Sequence, residues 1–231
     1  MKTSLTSALV FTLLIGCQAQ PRPPVQDGQT QAAGETPISL PQGQVFEVVS
    51  EDSEFRIVTW PAGPLARFGH AHVIGGSAVS GRVVLAEDFH ASGLRLVIAV
   101  AALELDRPEW RLDEGFDPDL PEDTIRGTRE NLMSDALLNA KDYPEILIEA
   151  TSVNGPQWQP DIDLRITLAG TARELTVPIT LDITGRELAA SGRISLRQSD
   201  FGIEPFSAAG GNLQVADDIL IRFRIVARRV D

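Results

Sequence analysis

From position 44 onward, apolar and polar residues alternate with a period of two in one short run after another. Val45-Phe46-Glu47-Val48-Val49 opens the series, and Glu54-Phe55-Arg56-Ile57-Val58-Thr59-Trp60 sets polar against apolar. Runs at 70–74 and 80–86 follow, then a longer one at 93–105 in which Leu94, Leu96, Ile98 and Val100 share a face. The second half repeats the style at 146–153, 162–169, 175–183, 188–196 and 219–227; in the last, Phe223, Ile225 and Ala227 alternate with Arg222, Arg224 and Arg228. Successive side chains of a strand point to opposite faces, so each run predicts a strand with one buried face. Turn signals separate them: Gly75-Gly76, Asn154-Gly155-Pro156, Gly170, Thr184-Gly185 and Gly210-Gly211-Asn212. One stretch breaks the period. Pro121-Glu122-Asp123 precedes Ile125, Leu132, Met133, Ala136, Leu137 and Ala140 at near-helical spacing, with acids in the first turn and Pro144 as the stop. The pattern predicts an all-β domain over 44–231, an antiparallel barrel or sandwich with one helical insertion. A barrel of about eight strands can enclose a small apolar ligand.

The chain before position 44 obeys neither period. Lys2 precedes the short apolar stretch 8–15, too short to span a bilayer, which takes about 20 apolar residues. The stretch ends in Leu14-Ile15-Gly16-Cys17, which resembles the lipobox of bacterial lipoproteins. The resemblance implies a signal peptide over 1–16, cleavage before Cys17, acylation of its thiol and new amine, and anchoring in a membrane without a transmembrane helix. Two or more acyl chains are needed, because one anchors only marginally. Gln18, where an Asp would favour the inner membrane, leans the expectation toward the periplasmic side of the outer membrane. The alternative is a plain secretory signal with a chance cysteine. Residues 18–43 are rich in Pro, Gln and Gly and poor in large apolar residues, so a disordered tether is expected over 17–43. Such a tether reaches roughly 25–30 Å.

Charge and cysteine content narrow the partners. A net charge of −12 repels the phosphate backbone, so no nucleic-acid partner is expected. Cys17 is the only cysteine, so with it acylated no disulfide can form, and the core alone must hold the domain.

Segments spread along the domain resemble the YceI family, lipocalin-like periplasmic barrels that bind polyisoprenoid lipids. They are Phe46-Glu47-Val48 with Ser53, then Arg129-Glu130-Asn131-Leu132, Ala136-Leu137-Leu138 and Asp142-Tyr143-Pro144-Glu145-Ile146. Leu168-Ala169-Gly170-Thr171-Ala172-Arg173 before Leu175-Thr176-Val177-Pro178 matches a family turn, and Ser199-Asp200-Phe201-Gly202-Ile203 matches most specifically. The resemblance implies a lipocalin-like barrel with an isoprenoid-type lipid as its ligand. The chain departs from the common pattern in carrying His70 and His72 together, in lacking the insertion's histidine, and in a longer acidic stretch at 106–123.

His70 and His72 are the sharpest chemical candidates. On one strand they share a face about 6–7 Å apart. They suit a metal site with His90 as third ligand, a polar headgroup contact, or a structural role. Arg67 and Arg129, with Arg126, could meet a phosphorylated headgroup, or pair with the many acids. Phe201 and Phe206 are expected to pack over one end of the barrel, and Trp60, Leu65 and Phe68 to form a lip at its mouth or to pack as core. The acids from Asp113 to Asp123 lack EF-hand spacing and read as a solvated run. No nucleophile elbow or phosphate loop appears, so a binding protein rather than an enzyme is expected.

Three readings follow. The first is a lipid-anchored barrel that stores or carries an isoprenoid or isoprenoid quinone, with Arg67, Phe68, His70, His72, Arg129, Phe201 and Phe206 as ligand contacts. The second is a metal or redox accessory using His70 and His72. The third is a structural or interaction lipoprotein, its interior filled and lacking a cavity of roughly 300 Å³ or more. A homodimer is compatible with each.

Overall fold

The computed structural model describes residues 31–32 and 38–230. Cys17, the signal segment and most of the expected tether lie outside the described residues. Ten main strands carry the fold: β1 (Gln44–Val48), β2 (Glu54–Thr59), β3 (His72–Gly76), β4 (Val79–Leu85) and β5 (Gly93–Ala99) in the first half. The second half supplies β6 (Glu145–Asn154), β7 (Asp161–Leu168), β8 (Thr171–Thr184), β9 (Glu187–Arg197) and β10 (Asp218–Arg229). All pairings are antiparallel. The ring β1–β4–β5–β6–β7–β8–β9–β10 closes on itself, an eight-stranded barrel as the alternation and the resemblance led us to expect. Closure leaves few unpaired edges on which another chain could add a strand.

β8 shows why these residues make a wall. Leu175, Val177, Ile179, Leu181 and Ile183 turn inward, and Glu174, Thr176, Thr180, Asp182 and Thr184 are exposed between them. Its lower half pairs with β7 up to Pro178, and its upper half pairs with β9 from Ile179. Proline has no N–H to donate, so the change of partner falls where the ladder loses a donor.

The first three strands of the barrel are each broken. Ser50–Asp52 separates β1 from β2, Ser77 and Ala78 separate β3 from β4, and Val100–Ala102 separates β5 from a short continuation, Glu104–Leu105. Above the breaks β1, β4 and β5 pair with one another; below them β2, β3 and Glu104–Leu105 do. β5 pairs with β6 only through Ala99, so the wall opens beyond it. The insertion 106–143 fills that opening. It holds two helices rather than one: α1 (Pro108–Asp113), which meets the acids read as a solvated run only at Asp113, and α2 (Glu122–Met133), which ends well before the stop expected at Pro144. Trp110 of α1 is buried against Gly75 of β3. Pro at its first turn and Arg107 and Arg56 over the indole ring favour the helix locally. Glu114 and Asp113 pair with Arg222 and Arg56 on the barrel's outer face, so these acids are anchored.

The barrel has two unlike ends. The far end carries Phe89–Ala91 and the loop 155–160. The other, called here the mouth, carries Ala99, Glu145, the Ala169-Gly170 turn, Arg197 and Asp218. A small second sheet caps the mouth, made of Pro61–Ala62, Leu213–Val215 and Ser207–Ala208. Residues 38–43 run along the outer wall. The Ile38 amide donates to the buried Glu149 carboxylate on β6 (2.9 Å), and Pro41 lies against Gly93 at the far end of β5. Gln31–Ala32 pairs with Thr171 and Ala172 beside the mouth.

Candidate functional site

Inward-facing side chains from β2 to β10 leave a cavity of about 220 Å³ along the barrel. Its lining is Leu, Ile, Val and Phe almost throughout; Ile57, Ile98, Ile148, Ile166, Val177 and Ile225 sample its circumference. The polar members, Thr59, Arg197 and Gln198, all lie at the mouth. A close-packed interior holds few voids larger than a water molecule, so this hollow is a built feature. It nonetheless falls short of the roughly 300 Å³ at the low end of ligand pockets. A smaller void of about 50 Å³ lies toward the far end and shares Val83, Leu94, Ile162 and Leu188 with the main cavity.

Two elements plug the mouth. Leu132 of α2 and Leu138 just after it reach the cavity. The helix is held by Arg129, whose guanidinium donates to the Leu103 and Ala101 carbonyls at the break after β5. On the other side the turn Gln198–Phe201 folds back after β9, and Phe201 and Ile203 are buried in the lining. Gly202 closes that turn at φ 73°, a left-handed conformation that glycine adopts freely.

Of the residues singled out from the sequence, Phe201 lines the cavity. Arg129 grips main-chain carbonyls. Arg67 and Phe68 sit in the exposed turn Ala66–Phe68, with the guanidinium 4.6 Å from the phenyl centroid. Phe206 is partly exposed on the loop that holds the small sheet. His70 is exposed and its ring centroid stands 6.5 Å from that of His72. His72 opens β3 directly opposite Thr59, a cavity residue, and residues so paired share a face. His90 lies at the far end, its Nδ1 3.1 Å from the Val153 carbonyl, so the barrel's length separates it from the other two histidines. Among the described residues no three His, Cys, Asp or Glu side chains converge as metal ligands.

The group that holds His72 was not among the residues singled out from the sequence. Asp106 is almost wholly buried; its Oδ2 lies 2.7 Å from His72 Nδ1, and its Oδ1 accepts from the Val73 amide (3.0 Å) and Arg111 Nη1 (2.7 Å). Arg111, equally buried, also donates to the Ala71 and Asp117 carbonyls. Burial alone would raise the Asp106 pKa, but the hydrogen bonds from His72, Val73 and Arg111 outweigh it and hold the carboxyl below its usual value. Asp106 has φ 51°, a conformation that Asp tolerates better than most residues. Only its contacts across 33 or more residues distinguish it from the chain's other acids.

Compared with known proteins, the family model of the YceI-like domain matches residues 51–227. BcnA of Burkholderia cenocepacia superposes with a TM-score of 0.57 at 16% identity, over 78% of this chain and 98% of that one. A polyisoprenoid binding domain from Saccharophagus degradans superposes with a TM-score of 0.56 at 10% identity, over 81% and 99%. At such identities the likeness is one of fold. No curated protein matches the sequence.

Proposed function

Because the chain belongs to the YceI-like family, we propose that its barrel binds a long apolar molecule of the isoprenoid class, for storage or transport between membrane and aqueous compartment. The observation that carries this reading is the cavity, hollow at about 220 Å³ and apolar to its mouth. An isoprenoid tail is insoluble in water, and a wall of Leu, Ile and Val removes its surface from water at about 25 cal/mol per Å². The polyisoprenoid binding named for the Saccharophagus degradans neighbour supports the same class. The cavity volume implies that the ligand enters by displacing the plugs, α2 and Phe201, neither of which is a rung of the barrel's ladder. Thr59, Gln198 and His72 stand where a polar headgroup would stop. In the same reading Cys17 is acylated and holds the protein on the periplasmic face of a membrane, the outer one by virtue of Gln18.

Organic extraction of the purified domain followed by mass spectrometry tests the ligand. An isoprenoid lipid at near-stoichiometric yield is expected from the natural sequence, and markedly less from Val177→Phe, which fills the mid-barrel. A barrel that is empty and takes up no isoprenoid from vesicles would sink the reading.

A further inference from the structure

We propose that the mouth of the barrel docks on a phospholipid bilayer, with Trp60, Phe68 and Phe206 inserted at the lipid–water interface. It rests on the proposed function only for the purpose of docking, which is to open the cavity against lipid. Two loops make the surface, 60–71 and 205–216, joined through the small sheet: the Ala216 amide donates to the Trp60 carbonyl and the Val215 amide to the Phe206 carbonyl. Trp60 is 38% exposed, Phe68 62% and Phe206 39%. Water-exposed aromatics grouped on one small scaffold are costly to a protein that keeps them there for nothing.

Charge points to lipid. The chain has 32 acidic residues and a net charge of −12, yet neither loop contains an acid. The titratable side chains across both are Arg67 and His70. Arg67 lies over the Phe68 ring, so the phenyl can enter the apolar layer while the guanidinium reaches a lipid phosphate. Two acid-free loops on an acidic body form a surface that an anionic membrane would repel less than the rest. Aromatic side chains of this kind concentrate at that interface.

Position agrees. Trp60 follows Thr59, and Phe206 follows Ile203 by three residues; both Thr59 and Ile203 line the cavity. Gln198, also in the lining, donates to the Ala216 carbonyl of the loop. The segment leading back to Cys17 runs from Pro41 at the far end to Gln31–Ala32 beside the mouth. Gln31 stands 14 positions after Cys17, and a chain of that length spans at most about 50 Å, so a bilayer holding Cys17 has the mouth within reach. Trp158, on the far-end loop, is 66% exposed, and the exposed Glu87 and Asp88 precede the far-end turn Phe89–Ala91.

The test couples the full chain through the Cys17 thiol, its only cysteine, to a maleimide lipid in brominated phosphatidylcholine vesicles. The protein is then tethered whether or not cells acylate it. Single-site variants isolate the two exposed indoles, Trp158→Phe keeping Trp60 and Trp60→Phe keeping Trp158; Trp110 is buried in both. Docking predicts that bromine quenches Trp60 at least about twofold more than Trp158, although Trp158 is the more exposed in water. Equal quenching, or more at Trp158, overturns it. Adding Phe68→Ser and Phe206→Ser to the Trp158→Phe protein leaves the cavity lining intact. Docking predicts that Trp60 quenching falls to the Trp158 level; quenching that persists comes from lipid inside the barrel and overturns the docking while supporting the ligand. Extraction of ligand from the same sample reports on the proposed function separately.

Discussion

The wall from β6 to β9 and the wall from β1 to β5 share one alternation of side chains but keep their backbones satisfied by different means. β8 runs for 14 residues and β9 for 11, and main-chain ladders serve nearly every group. Several side-chain hydrogen bonds on that wall only join side chains to one another, as when Ser152, Asn154 and Thr176 donate to Asp163. On the other wall the ladder stops three times, and side chains take over. Ser50 Oγ donates to the Val79 carbonyl (2.7 Å). Ser53 Oγ, buried, donates to the Val49 carbonyl (2.8 Å) and accepts from the Val226 amide (3.0 Å). Asp106 receives the Val73 amide, and Arg129 serves two carbonyls. A buried backbone group must be paired, so a broken strand survives only with such partners. The breaks splay the wall, and the splayed end is the one that α2 plugs.

The contrast predicts unequal sensitivity. Asp106→Ala strands the Arg111 charge and the Val73 amide in the interior, and should lower the unfolding free energy by about 3–5 kcal/mol in urea titration. Asp106→Asn keeps the shape and tolerates the left-handed φ, so the difference between the two variants separates charge from backbone. Ser53→Ala should lose about 1–3 kcal/mol, with faster hydrogen exchange at the Val226 amide. A loss within about 0.5 kcal/mol there would show that the breaks do not depend on their side chains.

A smaller effect is expected from pH. The folded-state pKa of Asp106 lies below its ordinary value, so its contribution is fully present above the unfolded pKa of about 3.9 and disappears as pH falls through the lower folded value. Thermal unfolding between neutrality and strong acid should show this limb in the natural sequence and a flatter one in Asp106→Asn; parallel curves would contradict it. The smallest effect belongs to the unbroken wall. Thr176→Val removes an exposed bond to Asp163 and should change stability by no more than about 0.5 kcal/mol.

The ten strands were legible from periodicity alone, most within two residues, because a wall with one wet and one dry face imposes a period of two on any chain that builds it. The start of α2 was visible for the matching reason, but not its end at Met133, before Ala136, Leu137 and Ala140. α1 was not, since its six residues are held by Trp110 against a β3 glycine far from it in sequence. The candidate site was legible as a type of interior and not as a set of residues. Phe201 could be placed because it sits in a recognisable turn. His72 could be named, while Asp106, which holds it, looked like any other acid.

By itself the sequence determined which residues face inward, that the interior would be apolar, and that the first residues of the chain belong to a different physical regime from the rest. Only the tertiary structure decided that the ring closes, that a cavity of about 220 Å³ remains inside, and which end is its mouth. It also joined the two acid-free loops that carry Trp60, Phe68 and Phe206 and set His90 at the opposite end. The reason lies in range. The hydrophobic period is written between neighbours, whereas closure, volume and the meeting of 60–71 with 205–216 depend on contacts between residues more than a hundred positions apart.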